Sequence, residues 1–424
     1  MYVYPPLQSA SLGQGVDGGS VRAHNTELLL RMVWEDDEGV SRAELSRQAG
    51  LSRSTVSTII QDLLEQGLVQ ESHVARSGPG RPPIALRFVE DHSWIVGVEV
   101  GSSHLSAVLT DLRGTVLQAL REDWSVQIDP EGTLALVERM VRQLCGTVGI
   151  APDALLGLGL AVPCPVDQAG DGTLDSRILP SWRTVPVAQR LSDALGTPII
   201  VDNDANCGAI AERWWGGAQD HDTFVYVKVA TGVGAGVIID GKVYGGSAGI
   251  AGEIGHTTVN PNGSDCRCGL RGCLEAEIGS EAVLTRVRKE LSSGRASRLR
   301  GVSNPRLPDV VAAVHQGDPM ALDVIHDVGH HLGIAVANLL NLLNPSRVIL
   351  GGRVTTAGAP LLASLRETVA ARAMPSSAAR AEISISTLDP EPIARGAATR
   401  VLQRALREPS LFSRASARLA HSVA

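Results

Sequence analysis

The stretch Gly252–Glu275 reads GEIGHTTVNPNGSDCRCGLRGCLE, and no other segment constrains this chain as much. One histidine, His256, precedes three closely spaced cysteines, Cys266, Cys268 and Cys273. Gly263, Gly269 and Gly272 let the backbone turn tightly enough for the four side chains to converge. One imidazole and three thiolates make the donor set of a closed, four-coordinate structural zinc site. A catalytic zinc keeps one position open for water, and this set leaves none. The alternative, ordinary thiols in a glycine-rich loop, must place three of the chain's six cysteines in one short loop without a reason.

A chain of 424 residues holds about two or three domains. Its hydrophobic fraction of 44% is ample for folded cores, and with aromatics at 3% those cores rest on Val, Leu, Ile and Ala. No apolar run reaches membrane-spanning length. The nearest, Leu332 to Leu343, is broken by Asn338 and Asn341 and stops at Pro345, so it reads as a buried helix. Residues 1–20 lack a basic segment followed by an apolar core and read as a flexible tail rather than a secretory signal. A cytoplasmic protein with reduced thiols at Cys145, Cys164 and Cys207 is expected. The net charge of −7 excludes a generic polyanion binder, so any nucleic-acid contact must be local.

Residues 21–90 carry the pattern of a winged helix-turn-helix. Leu28, Leu29, Met32 and Val33 form one helical stripe. Ser41 caps a second helix with Glu44 as its capping-box partner, and Gly50 closes it. In LSRSTVSTIIQDLLEQGLV, Ser52 is the expected cap, and Val56, Ile59, Ile60, Leu63 and Leu64 are the buried stripe. The opposite face presents Arg53, Ser54, Thr55, Ser57 and Thr58, short polar groups and one arginine that suit base edges and phosphates in a major groove. Leu68 to Val74 and Ile84 to Phe88 read as the strands of a wing. Arg76 and Arg81 flank its Gly/Pro tip, where they can lie on phosphates or reach the minor groove. The segment Val21 to Glu90 has eight arginines against ten acidic residues. Affinity must therefore come from dimerisation and a few phosphate contacts.

The string CxCGxxGCxE after GExGH resembles the signature of the ROK family, whose members are sugar kinases and sugar-responsive repressors. The resemblance runs from about Trp94 to Leu406. It implies an α/β two-lobed sugar-kinase fold of the actin/hexokinase, ribonuclease H-like type, with the zinc loop beside a sugar pocket. The motif IVDNDAN is similar to the family's sugar-site motif, with Asn203 and Asp204 at its core. Glu253 and Glu275 stand where the family's glutamates contact sugar hydroxyls, and the same resemblance places His256 at the pocket. In a kinase Asp204 would take the proton of the attacking hydroxyl; in a sensor it would accept that hydroxyl's hydrogen bond. A role as helix N-cap is compatible with both.

The phosphate side departs from the pattern. Family kinases carry DxGGT where this chain has Glu99, Gly101, Ser102, Ser103 and His104. Cys164 replaces a glycine of GxPGPV and reads as buried and structural. Ala230 precedes Thr231 where the kinases begin the loop with GTG, and Arg353 follows the Gly-Gly turn of SRVILGG. His326, His330 and His331 share one expected helix, but no acidic partner completes a metal site.

Two readings follow. The favoured one is a sugar-responsive regulator, not an enzyme, with a structural Zn²⁺. Its partners are a palindromic double-stranded DNA operator and a sugar or sugar-phosphate effector, and it acts as a homodimer or homotetramer. The alternative is an active kinase using ATP and Mg²⁺. The expected division is a head at 21–90, one lobe at 91–206 joined by a returning helix at 393–408, a second lobe at 207–392, and a tail at 409–424.

Overall fold

The structure is a computed structural model and describes residues 18–73, 84–127, 129–166, 174, 179–183, 185–413 and 415. Three helices, α1 (Gly18–Glu35), α2 (Arg42–Ala49) and α3 (Arg53–Glu65), precede a hairpin of β1 (Val69–His73) and β2 (Ile84–Phe88). The caps anticipated from sequence form at both inner helices. Ser41 Oγ accepts from the Glu44 amide at 3.2 Å, and Ser52 Oγ accepts from the Thr55 amide at 3.1 Å. Only half of the capping box forms at Ser41, because the Glu44 carboxylate turns to Arg47 and Gln48 instead. Leu45, Val56, Ile59, Ile60 and Leu63 are buried against Leu29, Leu30 and Val33 of α1, and Leu64 is half-buried.

The body follows in two similar halves. The first comprises β3 (Ile95–Gly101), β4 (His104–Thr110), β5 (Val116–Asp123), α4 (Pro130–Thr147), β6 (Gly157–Val162), α5 (Val187–Leu195) and β7 (Ile199–Asn203). Helix α6 (Asp204–Trp215) leads to the second half. There the strands are β8 (Phe224–Val229), β9 (Val233–Ile239) and β10 (Lys242–Val243). They are followed by α7 (Leu274–Ile278), α8 (Ser280–Ser292), α9 (Leu307–His315), α10 (Pro319–Leu343), β11 (Arg347–Gly351), α11 (Ala359–Arg372), α12 (Pro375–Ala378) and β12 (Glu382–Ile385). The sheet orders are β5-β4-β3-β6-β7 and β10-β9-β8-β11-β12. Numbered within each sheet, both run third, second, first, fourth, fifth. In both, the first three strands are antiparallel and the last two lie parallel to the first. This is the duplicated sheet of the actin/hexokinase-like fold.

The last helix, α13 (Pro392–Arg407), returns across the first sheet. Its backbone comes so close that a Cβ on Gly159 of β6 would lie 1.9 Å from the carbonyl oxygen of Ala397. A Cβ on Gly396 of α13 would lie 1.8 Å from the Cys207 carbonyl oxygen in α6. Glycine is therefore required at both crossings. Arg400 adds an ion pair to Asp202 at 2.8 Å, anchoring α13 to the end of β7. Helix α6 is buried from Asp204 to Glu212, packed on α13 and on β8 and β9 of the other sheet. The apolar run 332–343 lies in α10, as its pattern implies, and no helix among the described residues is long and apolar enough to cross a membrane.

Head and body share one core: Leu29, Leu30 and Val33 cluster with Leu112, Leu402, Leu406 and Phe412. At its edge, Trp34 at the end of α1 meets Trp214 and Trp215 at the end of α6. The Trp34 indole donates to the Leu112 carbonyl at 2.8 Å. Arg113 lies over the Trp34 ring and pairs with Asp37 at 2.8 Å, which holds the acidic turn 35–38 toward the body.

Candidate functional site

A cleft of about 610 Å³, its open mouth included, lies where the two halves meet. The ends of the first and fourth strands of both sheets open into it: Gly101 to His104, Pro163 to Pro165, Ala230 to Gly232, and Arg353. All five residues expected at a sugar site, Asn203, Asp204, Glu253, His256 and Glu275, line this one cleft.

Asn203, not Asp204, is the N-cap of α6. Its Oδ1 accepts from the amides of Ala205 and Asn206 at 2.9 and 3.3 Å, and its Nδ2 donates to the Cys164 carbonyl at 3.2 Å. Capping thus fixes the rotamer of Asn203 and leaves Asp204 in the first helical turn. Glu275 is buried and already partnered: Arg267 donates to both its oxygens at 2.7 and 2.9 Å, and the Val233 amide donates to Oε2 at 3.1 Å. Cys164 lines the cleft but is buried.

The cleft residue most central to its charge was not legible in the sequence. Lys228, in the apolar strand β8, is buried and donates to Asp204 Oδ2 at 2.6 Å and to Glu99 Oε1 at 2.9 Å. His104 Nε2 stands 3.4 Å from the other Glu99 oxygen. Burial alone disfavours every charge here, but Lys228 gains two carboxylates, which push its pKa well above the usual lysine range. Burial raises Glu99 less than Lys228 and His104 lower it, so Glu99 is held ionised. For Asp204 burial dominates, and the neighbouring Glu99 charge adds to it, so this carboxyl is shifted upward despite Lys228. The signal in the sequence was a lone charge in FVYVKV, since a buried lysine needs a counter-charge.

Beside the cleft, the ligand atoms of His256, Cys266, Cys268 and Cys273 all lie within 4.8 Å of one another. His256 Nδ1 is 3.6 Å from Cys266 Sγ, and Cys268 Sγ is 3.7 Å from Cys273 Sγ. A tetrahedron with zinc bond lengths has edges of about 3.6 Å between nitrogen and sulfur and about 3.8 Å between sulfurs. The donor set and its spacing therefore fit such an ion. Burial and the adjacent Cys268 and Cys266 sulfurs push the Cys273 thiol up to about 12, so a thiolate there calls for a cation. The other imidazole nitrogen, Nε2, faces Glu253 Oε2 at 3.8 Å. His256 thus belongs to both the Cys/His cluster and the cleft lining.

On the head, Ser52, Arg53, Ser54, Ser57 and Thr58 are exposed along one face of α3, and Thr55 is half-buried. Ser52 Oγ lies 2.8 Å from both Ser54 Oγ and Thr55 Oγ1, so the start of this face is pre-ordered. Arg76 and Arg81 of the expected wing tip lie outside the described residues.

The fold and cleft define a two-lobed body of the sugar-kinase type beneath a helix-turn-helix head. The sequence model of the ROK family matches residues 95–404, and that of the IclR helix-turn-helix domain matches residues 28–73. The chain belongs to the ROK family. It is 32% identical over 360 residues to the xylose repressor of Bacillus subtilis (strain 168), covering 83% of this chain and 88% of that protein. It is also 32% identical over 307 residues to the glucokinase of Halalkalibacterium halodurans, covering 70% of this chain and 91% of that enzyme. The crystal structure of a ROK family transcriptional regulator, a homologue of the E. coli MLC protein, superposes with a TM-score of 0.79 at 27% identity. It covers 94% of this chain and 99% of that one.

Proposed function

We propose that this protein is a sugar-responsive transcriptional repressor, with α3 reading an operator and the cleft receiving a sugar or sugar phosphate. The observation that carries this is the joining of an exposed polar recognition face, Ser52 to Thr58, to a body whose cleft gathers Asn203, Asp204, Glu253, His256 and Glu275. The match to the xylose repressor through both head and body supports it.

The protein acts as a binding device rather than an enzyme. Phosphoryl transfer depends on positioning and on neutralising charge at the γ-phosphate. The hairpin turn on that side carries Ser102, Ser103 and His104, which supports sugar binding without turnover. His256, Cys266, Cys268 and Cys273 hold one structural Zn²⁺, with Glu253 orienting the imidazole from outside. The ion would neutralise the thiolates and pin Glu253 and the start of α7, which carries Glu275.

Transmission runs along α6. Its first turn lies in the cleft and its last turn carries Trp214 and Trp215 against Trp34 of the head. Sugar bound between the halves favours one interlobe angle, and the head moves with α6. In a cytoplasmic homodimer or homotetramer this changes the spacing of two recognition helices on a palindromic operator. Wing residues Arg76 and Arg81 would add backbone or minor-groove contacts. The domains divide at 21–90, 91–206 with 393–408, and 207–392.

The test is calorimetry with xylose, glucose and their phosphates, followed by operator binding with and without the sugar that binds. A sugar that binds the protein and shifts operator affinity supports the reading. Failure of all of them to bind, or binding with no effect on DNA, overturns it.

A further inference from the structure

A cleft of this type in a kinase handles phosphate through a divalent cation held by carboxylates. Here the relevant carboxylates, Glu99 at the end of β3 and Asp204 at the start of α6, are both engaged by one ammonium. Lys228 reaches from β8 in the second half of the body to Glu99 in the first, at 2.6 Å from Asp204 and 2.9 Å from Glu99. All three groups are buried. A hydrated Mg²⁺ needs about 2.0–2.1 Å to each oxygen and near-octahedral freedom around it. Neither is compatible with an ammonium already bonded to the same oxygens, and the like charges repel.

We propose that Lys228 is a tethered replacement for the divalent cation, and that it is the specificity-determining residue that restricts the cleft to a sugar without a metal–nucleotide complex. The inference rests on the sugar reading above only for the ligand; exclusion of the ion stands on Lys228 itself. Three features argue for a replacement rather than an incidental ion pair. Lys228 contacts both carboxylates rather than one. It interrupts an otherwise apolar strand, Phe224 to Val229. It also ties the two halves together at the position where a bridging ion would do so. A tethered cation cannot dissociate, so the protein senses sugar without depending on ion or nucleotide supply.

The experiment uses the full chain and Mn²⁺ as probe, read by electron paramagnetic resonance and by thermal unfolding, with neither sugar nor DNA present. Wild type and Glu99→Gln should take up the same amount of Mn²⁺, because the wild-type pocket holds none. Lys228→Ser opens the site: it should unfold at a lower temperature without metal and recover several degrees with Mn²⁺. It should also gain one Mn²⁺ that the added Glu99→Gln change removes. If Lys228→Ser is too unstable to purify, Lys228→Met, which keeps the volume of the alkyl stem and removes the charge, should gain the same single Mn²⁺, again lost when Glu99→Gln is added. Mn²⁺ bound by wild type and lost in Glu99→Gln would overturn the proposal. So would a folded Lys228→Ser protein that gains no ion, since an ordinary ion pair predicts that result. A failure to bind any sugar would overturn the functional reading and leave these outcomes unchanged.

Discussion

The indole rings of Trp34 and Trp214 meet with centroids 5.2 Å apart and planes inclined by 55°. One belongs to the DNA-binding head and the other to the helix that starts in the cleft. Such a pair contributes about 0.5–1.5 kcal/mol beyond its buried area. A double-mutant cycle on Trp34→Ala and Trp214→Ala should return a coupling of about that size in unfolding experiments. The same changes should leave sugar affinity nearly intact while weakening the effect of sugar on DNA binding. A sugar response of wild-type size in Trp34→Ala would refute transmission through this contact.

Cys268→Ser should lose the metal and loosen the cleft, because Glu253 and the first turn of α7 with Glu275 are then unpinned. Elemental analysis should find about one zinc per chain in the wild type and none in the variant. Equal zinc in both would show that the four residues are not the ligand set.

Arg53 begins α3, exposed and next to the pre-ordered Ser52 and Ser54. Arg53→Ala should weaken operator binding by about 1–3 kcal/mol if it contacts a base in bidentate fashion. A loss that is uniform across sequences would assign it to phosphate instead. An unchanged footprint and affinity rule out both.

Asp204→Asn should weaken sugar binding in calorimetry, because the residue keeps its place in the first turn of α6 but loses a charged acceptor. Mg-ATP should neither tighten the binding of sugar by wild type nor yield ADP. Robust ADP formation that disappears in Asp204→Asn would promote the kinase alternative.

Asp318 caps the long helix α10, accepting from the Ala321 amide at 2.9 Å and from the Arg298 amide at 2.6 Å. Burial opposes its charge, but these amides outweigh it and lower its pKa. The sign follows from linkage. A depressed folded pKa stabilises the protein above the unfolded value, near pH 4, and that contribution is lost as pH falls through the folded value. Asp318→Ala should cost about 1–2 kcal/mol at neutral pH, and the gap to wild type should narrow below about pH 4. A gap that does not change with pH would show that the charge is not what stabilises the cap.

Features confined to short stretches were legible in the sequence. The Cys/His cluster, the caps at Ser41 and Ser52 and the buried stripe of α3 each depend on residues close together in the chain. The five cleft residues were legible through their motif string, although the string did not reveal that Asn203 is consumed in capping. Lys228 was not legible, because its partners lie 129 and 24 residues away and a charge in a strand does not announce which sheet edge it will face. Arg267 was hidden for a related reason: nothing in the sequence of the cysteine loop tells that its guanidinium turns inward to Glu275. The tryptophan contact required the three-dimensional approach of α1 to α6.

Helix α6 has twelve residues, which makes it about 18 Å long. The close crossing at Gly396 clamps it on α13, which leaves it little room to bend. A tilt of about 5° at the cleft end carries the far end through about 1.6 Å by lever arithmetic. That distance is large against the tolerance of a ring contact. On the proposed reading the molecule would have no need to unfold or reorder a segment to report a bound sugar: a stiff rod turning by a few degrees would convert a change the size of one hydroxyl contact into a change of grip on DNA.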